Sequence, residues 1–528
     1  MSPSRSRSRS VRLAAVIAIP LLAVLTLFSW SFSSAVGSSP DDDFHLASIW
    51  CGLGDRPGLC EEPGGTTGSV ERMVPAPVAQ AICAAQHADV SGSCWNGNAP
   101  GLALVKRANV DHLYPPVFYG AMSVFASKDV AASVIAMRLA NSVIAVGLIT
   151  AVFLFLPRRL RPALTISVLA ASVPLGLFVF ASTNPSSWAL LSAATVWVSL
   201  YGALIAPTRR QSIVLTSLAV LAAVLGAGAR ADSALFAVFG AMIALWLGLR
   251  RGRGLLVPLV GGAAILVISV ALYFSATQSS AATGGLGGYG ARLSGGELVR
   301  NVLDIPSLWI GIFGYWPLGW FDTGVPSVVW VLGSAVFGFV LLAGLHGATR
   351  RRVVASLAAL AAMWFVPFYI LWQSGAHVGE GVQPRYIMPL MIIALGVSAA
   401  SERAATLWRG WPLIVAAAAL ALTNAVSLHI NIQRYTTGLD KTSLDPGSHA
   451  EWWWGWAPSP MGVWLIGSVA FALLLAGLLC ANRQYGDEAE TEVADAGASS
   501  APAADADYES SKTEDQVSAL ESDRASAR

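Results

Sequence analysis

Long apolar runs recur from Leu13 to Cys480, separated by short polar breaks. Each run is long enough to cross a bilayer core, which takes about 20 apolar residues as a helix. About twelve spans follow from this pattern: 12–36, 130–156, 162–181, 187–206, 212–229, 233–249, 255–275, 325–346, 353–373, 385–400, 411–429 and 461–480. The chain therefore reads as an all-α polytopic membrane protein. Composition agrees, since 55% of the 528 residues are hydrophobic and only 12% are charged. A soluble domain carries about twice that charged share.

The net charge of +2 says little, because the charges are sorted by position. The N-terminal end offers Arg5, Arg7, Arg9 and Arg12, and alternate breaks then carry Arg158, Arg159 and Arg161; Arg209 and Arg210; Arg250, Arg251 and Arg253; Arg350, Arg351 and Arg352; Arg403 and Arg409. Short cytoplasmic loops retain Lys and Arg, so these breaks and both termini are expected in the cytoplasm, with the protein in the cell membrane. Arg residues before the first span and small residues after it also fit a signal peptide. Its apolar stretch of about 20 residues exceeds the usual signal core of about 7–15, which favours an uncleaved anchor.

These spans divide the chain. A basic N-terminus (1–11) and the first span (12–36) lead into an exterior loop (37–129). Spans two to seven (130–275), a second exterior loop (276–324), spans eight to eleven (325–429), a Trp-rich third loop (430–460) and the last span (461–480) complete the membrane part. The tail (481–528) is rich in Ala, Ser, Asp and Glu, and is expected to be disordered from about residue 486. Four of five cysteines, Cys51, Cys60, Cys83 and Cys94, lie in the first exterior loop, and Cys480 is expected to be buried in the last span. An even set on the oxidising side points to two disulfides. Three pairings are open, of which Cys51–Cys60 with Cys83–Cys94 is the simplest, and a zinc site is the rival reading. "NVDHLYPPVFYG" predicts a short interfacial or re-entrant helix opening at Pro115 or Pro116. Glu297 to Phe313 reads as amphipathic, and the four Trp of "EWWWGWAPSP" read as interfacial anchors or, alternatively, as a sugar platform.

Candidate chemistry sits at exterior span ends. Directly after the first span the chain reads "PDDDFH", placing Asp41, Asp42 and Asp43 in a row before His45. Adjacent carboxylates repel, so at least one is expected to have a raised pKa or to bind a cation. That suits a general base and equally a divalent ion with oxygen ligands; a solvated collar or a helix N-cap is the plainer account. Arg230 and Arg385 lie where positive charge is disfavoured, and Arg pairs well with phosphate. Their plainer accounts are a local pair with Asp232 and snorkelling to the headgroups. His112, Asp111, His377 and Glu380 complete the exterior set. A Walker loop, a His-Glu-x-x-His signature and a Gly-x-Ser-x-Gly elbow are missing from the sequence, and nothing in it points to a nucleic-acid partner.

Several segments together resemble the membrane family known as domain of unknown function 2142 (DUF2142), an actinobacterial family that looks related to the GT-C glycosyltransferases. "PDDDFH" resembles its Pro-Asp-Glu-x-x-His, with Asp42 in place of Glu. "HLYPPVFY" resembles a His-Pro-Pro-hydrophobic-Tyr-Tyr box and brings in His112, Pro115, Pro116 and Tyr119. "STNPSSWAL" resembles an Asn-Pro-Asp box with Ser186 in place of Asp. "GARADSALF" and "QPRYIMP" resemble further family segments, the second a Gly-Arg-Tyr-x-x-Pro box without its Gly. The resemblance covers about residues 38–400. It implies a GT-C-like fold and an enzyme that moves a sugar from a polyprenyl-phosphate donor to a cell-envelope glycan acceptor on the exterior face. Asp41 or Asp42 would be the base, with Asp43 a weaker candidate, and His45 would orient it. Arg385 with Tyr386, together with Arg230, His112 and Tyr119, would bind substrate. No cofactor is called for beyond the divalent cation left open above. A transporter or flippase of envelope precursors and a non-catalytic assembly factor are the alternative readings.

Overall fold

Ten helices in the computed structural model are long and apolar enough to cross a bilayer, among the described residues 3–64, 69–250, 254–286, 292–400 and 410–499. In chain order the first helices are α1 (Pro3–Phe32), α2 (Asp42–Trp50), α3 (Ala76–Ala79), α4 (Pro116–Met122), α5 (Val130–Phe155) and α6 (Arg161–Ala171). They are followed by α7 (Pro174–Phe180), α8 (Ser186–Leu204), α9 (Arg209–Ala229), α10 (Ala231–Gly248), α11 (Leu256–Phe274) and α12 (Ala281–Gly284). The last are α13 (Gly295–Ile312), α14 (Ser327–Leu345), α15 (Arg350–Ser374), α16 (Pro384–Ala399), α17 (Trp411–Thr436) and α18 (Pro460–Ser499). Local chemistry sets several starts. Asp129 and Thr208 accept backbone N–H groups of the first turns of α5 and α9, and Ser294 closes a capping box with Glu297 at α13. Pro116, Pro174 and Pro384 open helices where the missing N–H has no partner to lose.

Two of the twelve expected spans take another form. Residues 161–180 form α6 and α7, bent by 95° at a break where Val173 is extended. The residue before proline disfavours the helical region, so Pro174 ends an apolar run that hydropathy reads as continuous. Helix α16 has 16 residues and is buried on nearly every side, packed against α6, α8, α14 and α15. A helix enclosed by others is apolar all round, so its sequence looks like that of a lipid-facing span. Counting the bent pair as one span gives up to eleven. The last helix runs on to Ser499, past the expected end at 480, through an Ala- and Glu-rich stretch with high helix propensity. Cys480 is exposed and not buried, because it lies on an outward face of α18. The tail from 500, Arg251, Arg253, Arg403 and Arg409 lie outside the described residues.

The bundle has a basic end and a loop end. At the basic end Gln211 donates to the Phe155 carbonyl, Arg351 to Leu249, and Arg352 to Gly344 and Ala400. These donors cover free carbonyls at helix C-termini, where the helix dipole also favours a cation.

At the loop end the three long loops pack as one cap. Both disulfides of the simplest pairing are present, Cys51–Cys60 and Cys83–Cys94, so no cysteine of this loop is left for zinc. Strands β1 (Arg72–Pro75) and β2 (Leu102–Val105) pair antiparallel, with Arg72 opposite Val105. Gly37 has φ +77°, and a Cβ there would lie 2.0 Å from the Ala81 carbonyl oxygen, so the close approach of these two segments requires glycine. Arg434 at the end of α17 donates to Ala84 and Val90, both inside the Cys83–Cys94 ring. The same guanidinium meets Asp322 of the second loop at 2.9 Å, with side chains only 0% and 3% exposed.

A buried ion pair broken on one side leaves an uncompensated charge. Arg434→Met is therefore expected to lower the unfolding free energy by about 3–5 kcal/mol, read as a drop in the melting temperature of the purified protein. Lys441→Met opens the exposed Lys441–Glu451 pair and is expected to leave that temperature unmoved. Equal losses in the two variants would contradict the assignment of Arg434 and Asp322 as the clasp between the loops.

Candidate functional site

The nine residues between α1 and α2 are not helical, yet they are buried almost throughout. Their carbonyls need donors, and neighbouring helices supply them. Arg138 of α5 donates to the carbonyls of Ser31, Ser34 and Ala35 and to the Ser38 hydroxyl. Asn431 of α17 donates to Ser33, Trp454 to the Phe32 carbonyl, and Trp320 to the Gly37 carbonyl. Asn184, in the turn between α7 and α8, donates to the Pro40 carbonyl at 3.0 Å.

Asp41 comes next in the left-handed region, φ 62° and ψ 23°. Asp tolerates this conformation better than most residues. Asp41 occupies the N-cap position of α2, but its side chain makes no capping bond. The carboxylate reaches instead across the chain, and its Oδ2 lies 2.5 Å from Nη2 of Arg385. The Arg385 side chain is 3% exposed and that of Asp41 is 34% exposed, so the acid forms the open side of the pair. Burial raises the Asp41 pKa, but Arg385, with help from Arg230 and Arg107, outweighs it and holds the group below the usual carboxylate value.

Arg385 also bonds Gln383 and, at 3.2 Å, the Tyr386 hydroxyl. Its guanidinium carbon is 4.9 Å from the Tyr386 ring centroid, and that of Arg230 is 4.5 Å from the same centroid. Tyr386 thus contacts both cations. Arg230 is itself held by a two-pronged contact with Asp232, at 2.9 and 2.7 Å. It lies 5.8 Å from the Tyr114 ring, with Nη1 3.5 Å from the Ser186 hydroxyl. His45, one turn along α2 from Asp41, is fully buried, and its Nδ1 is 2.8 Å from the Tyr119 hydroxyl. Burial drives its pKa down to about 3, so the ring is neutral at physiological pH. His45 Nε2 has no hydrogen-bond partner among the described residues.

The expected site residues separate into those gathered here and those placed elsewhere. Asp41, His45, Tyr119, Arg230, Arg385 and Tyr386 come together from the α1–α2 link, α4, the α9–α10 turn and the start of α16. Asp42 points away: Oδ2 accepts the Ser39 N–H and Oδ1 the Thr183 hydroxyl, both at 3.0 Å, and the residue has no exposed surface. Asp43 pairs with Arg107 at 3.2 Å on the outer side. His112 is exposed, and it is its carbonyl that accepts the Thr277 N–H at 2.9 Å. The three aspartates therefore diverge, and among the described residues no group of three His, Cys, Asp or Glu side chains converges to hold a metal ion. Tyr114, Gln383, Thr183, Asn184 and Arg138 are contributors that sequence reading did not name. Four of them sit inside the quoted boxes "HLYPPVFY", "STNPSS" and "QPRY", where position carried the signal. Arg138 had only its place in an apolar span to mark it.

A family model described as "Predicted membrane protein (DUF2142)" matches residues 24–394. The chain belongs to this DUF2142 family. No curated protein and no solved structure matches the chain. The matched segment takes in every residue of the cluster, from Asp41 to Tyr386, and leaves α17, the third loop and α18 outside it.

Asp42 offers a direct test of this DUF2142 geometry. Burial raises its pKa to about 7, against the opposing pull of Arg138 and its two hydrogen bonds. The folded chain then keeps a proton that the unfolded chain releases near pH 4, so stability falls as pH rises from about 4 to about 7. Asp42→Asn is expected to flatten that part of the melting-temperature profile. An unchanged slope would show that Asp42 is not the group responsible.

Proposed function

We propose that this DUF2142 protein is an integral membrane glycosyltransferase that takes sugar from a polyprenyl-phosphate donor and passes it to a hydroxyl of a cell-envelope glycan. The observation that carries this reading is the Asp41–Arg385 contact. It joins an acid directly after the first span to an arginine 344 residues away in sequence. The basic loops then face the cytoplasm by the Lys/Arg rule, both termini with them, and the loop end with its two disulfides faces the oxidising side of the cell membrane.

In the transfer, Asp41 takes the proton of the acceptor hydroxyl as the new C–O bond forms at the anomeric carbon with inversion. The bond from that carbon to the donor phosphate breaks, and polyprenyl phosphate leaves. Arg385, with Arg230 behind Tyr386, steadies the negative charge that gathers on the leaving phosphate. Neutral His45 with Tyr119 orients the base or the acceptor. Asp42 has both oxygens bonded and no exposed surface, so its part is to fix the link that carries Asp41. The transporter reading looks for free charge within the spans, and Arg138 is tied to three carbonyls and a hydroxyl.

With the purified protein in lipid, transfer from labelled polyprenyl-phosphate sugars is expected to fall by at least about 10²-fold in Asp41→Asn, the contribution typical of a general base. Asp43→Asn is expected to keep most of the rate. Full transfer by the Asp41 variant would remove the base from the scheme, and a non-catalytic assembly factor would tolerate both changes.

A further inference from the structure

The two arginines of the cluster are already neutralised, each by its own aspartate, and the two pairs are built differently. Asp232 grips Arg230 by two bonds from a position two residues away. Asp41 holds Arg385 through one oxygen, and among the described residues its carboxylate has no other polar partner. Arg385 is nearly sealed, with its side chain 3% exposed, and Asp41 is the more exposed member of the pair. A phosphate approaching Arg385 therefore meets the carboxylate first. Two anions cannot share one guanidinium face in a buried site without strong repulsion.

We propose that phosphate and Asp41 compete for Arg385, so that donor phosphate displaces the Asp41 carboxylate and thereby sets it free to act as base. This inference rests on the glycosyltransferase reading and adds regulation to it. While paired, Asp41 is a weak base, because Arg385 holds its proton affinity down. Once the phosphate occupies Arg385, burial is the larger remaining influence on Asp41, and its affinity for a proton rises. The acceptor hydroxyl is then activated only when a donor is bound, and the empty site does not activate water. The backbone prepares the exchange. Asn184 fixes the carbonyl before Asp41, and Thr183 fixes the carboxylate after it. The Asp41 side chain is thus free to move between two anchored neighbours.

The test is counterintuitive, because deleting the base should strengthen binding. The probe is a labelled polyprenyl monophosphate, bound to the full-length protein in nanodiscs of zwitterionic lipid. Asp41→Asn and Asp41→Gly both suit a positive φ, so each removes the charge without new backbone strain. Each is expected to bind the probe at least about tenfold more tightly than the wild type, about 1.4 kcal/mol, while Arg385→Gln binds it more weakly. If either variant is less stable, polyprenyl phosphate is expected to raise its melting temperature more than it raises that of the wild type. Displacement of the probe by inorganic phosphate supports the exchange with the free ion as ligand; displacement only by the phosphate lipid supports it with the headgroup. Affinity that is unchanged or reduced in both folded Asp41 variants overturns the exchange. Sugar transfer by the wild type alongside that result leaves the transferase reading standing. Tighter binding in a chain that transfers no sugar does the reverse.

Discussion

A chain that stops being helical inside a membrane bundle must find donors for the carbonyls it uncovers, and the segment after α1 is built around that constraint. Arg138 answers it first, with a buried guanidinium that donates to three carbonyls between Ser31 and Ala35. Asn431, Trp454, Trp320 and Asn184 donate to the carbonyls of Ser33, Phe32, Gly37 and Pro40. A cation in this position is costly unless its charge is well hydrogen-bonded, and the unhelical chain is equally costly without the cation. Each solves the other's problem. The outcome is a rigid strap that presents Asp41 in a left-handed conformation at a fixed place.

The strap gives the electrostatics their order. Three neighbouring aspartates would repel if they faced one way, and the alternation of strap and helix sends them apart. Asp43 goes outward to Arg107, Asp42 inward to Thr183 and Ser39, and Asp41 sideways to Arg385. Three acids with one sequence signature thus acquire three different proton affinities. Asp42 is raised by burial, while Asp41 is lowered by Arg385 against the same effect. The cluster around Tyr386 carries two cations and two acids, a balance that lets buried charges persist in a low-dielectric site.

Much of this was legible from residue order. Hydropathy and alternating arginines gave the helices and their two ends, because both signals are one-dimensional. The simplest cysteine pairing held because each ring closes over a short segment. The two spans that take another form do so for reasons hydropathy does not report: α16 is enclosed by other helices, and α6–α7 is bent at the break before Pro174. At the site, Asp41, His45, Arg230 and Arg385 stood out as ionisable groups at the ends of apolar spans, and Tyr386 and Tyr119 through their motifs. The inward turn of Asp42 and the exposure of His112 were not legible. Both depend on the left-handed residues Asp41 and His112, whose backbone angles redirect the chain beyond them.

The boundary of the DUF2142 match adds a further distinction. Every side chain of the cluster lies within residues 24–394, whereas Asn431, Arg434 and Trp454 lie beyond it. Those three act on the strap and on the disulfide-bonded loop, and none touches Asp41 or Arg385. The cluster thus sits in one continuous stretch of the chain, and the last two helices lie beyond it in sequence. Arg434 joins Asp322 to the Cys83–Cys94 ring, so α17 fixes how the first and second loops meet above the cluster. Thus α17 and the third loop hold the strap and the first two loops in place, while Asp41 and Arg385 meet through contacts made within the matched segment.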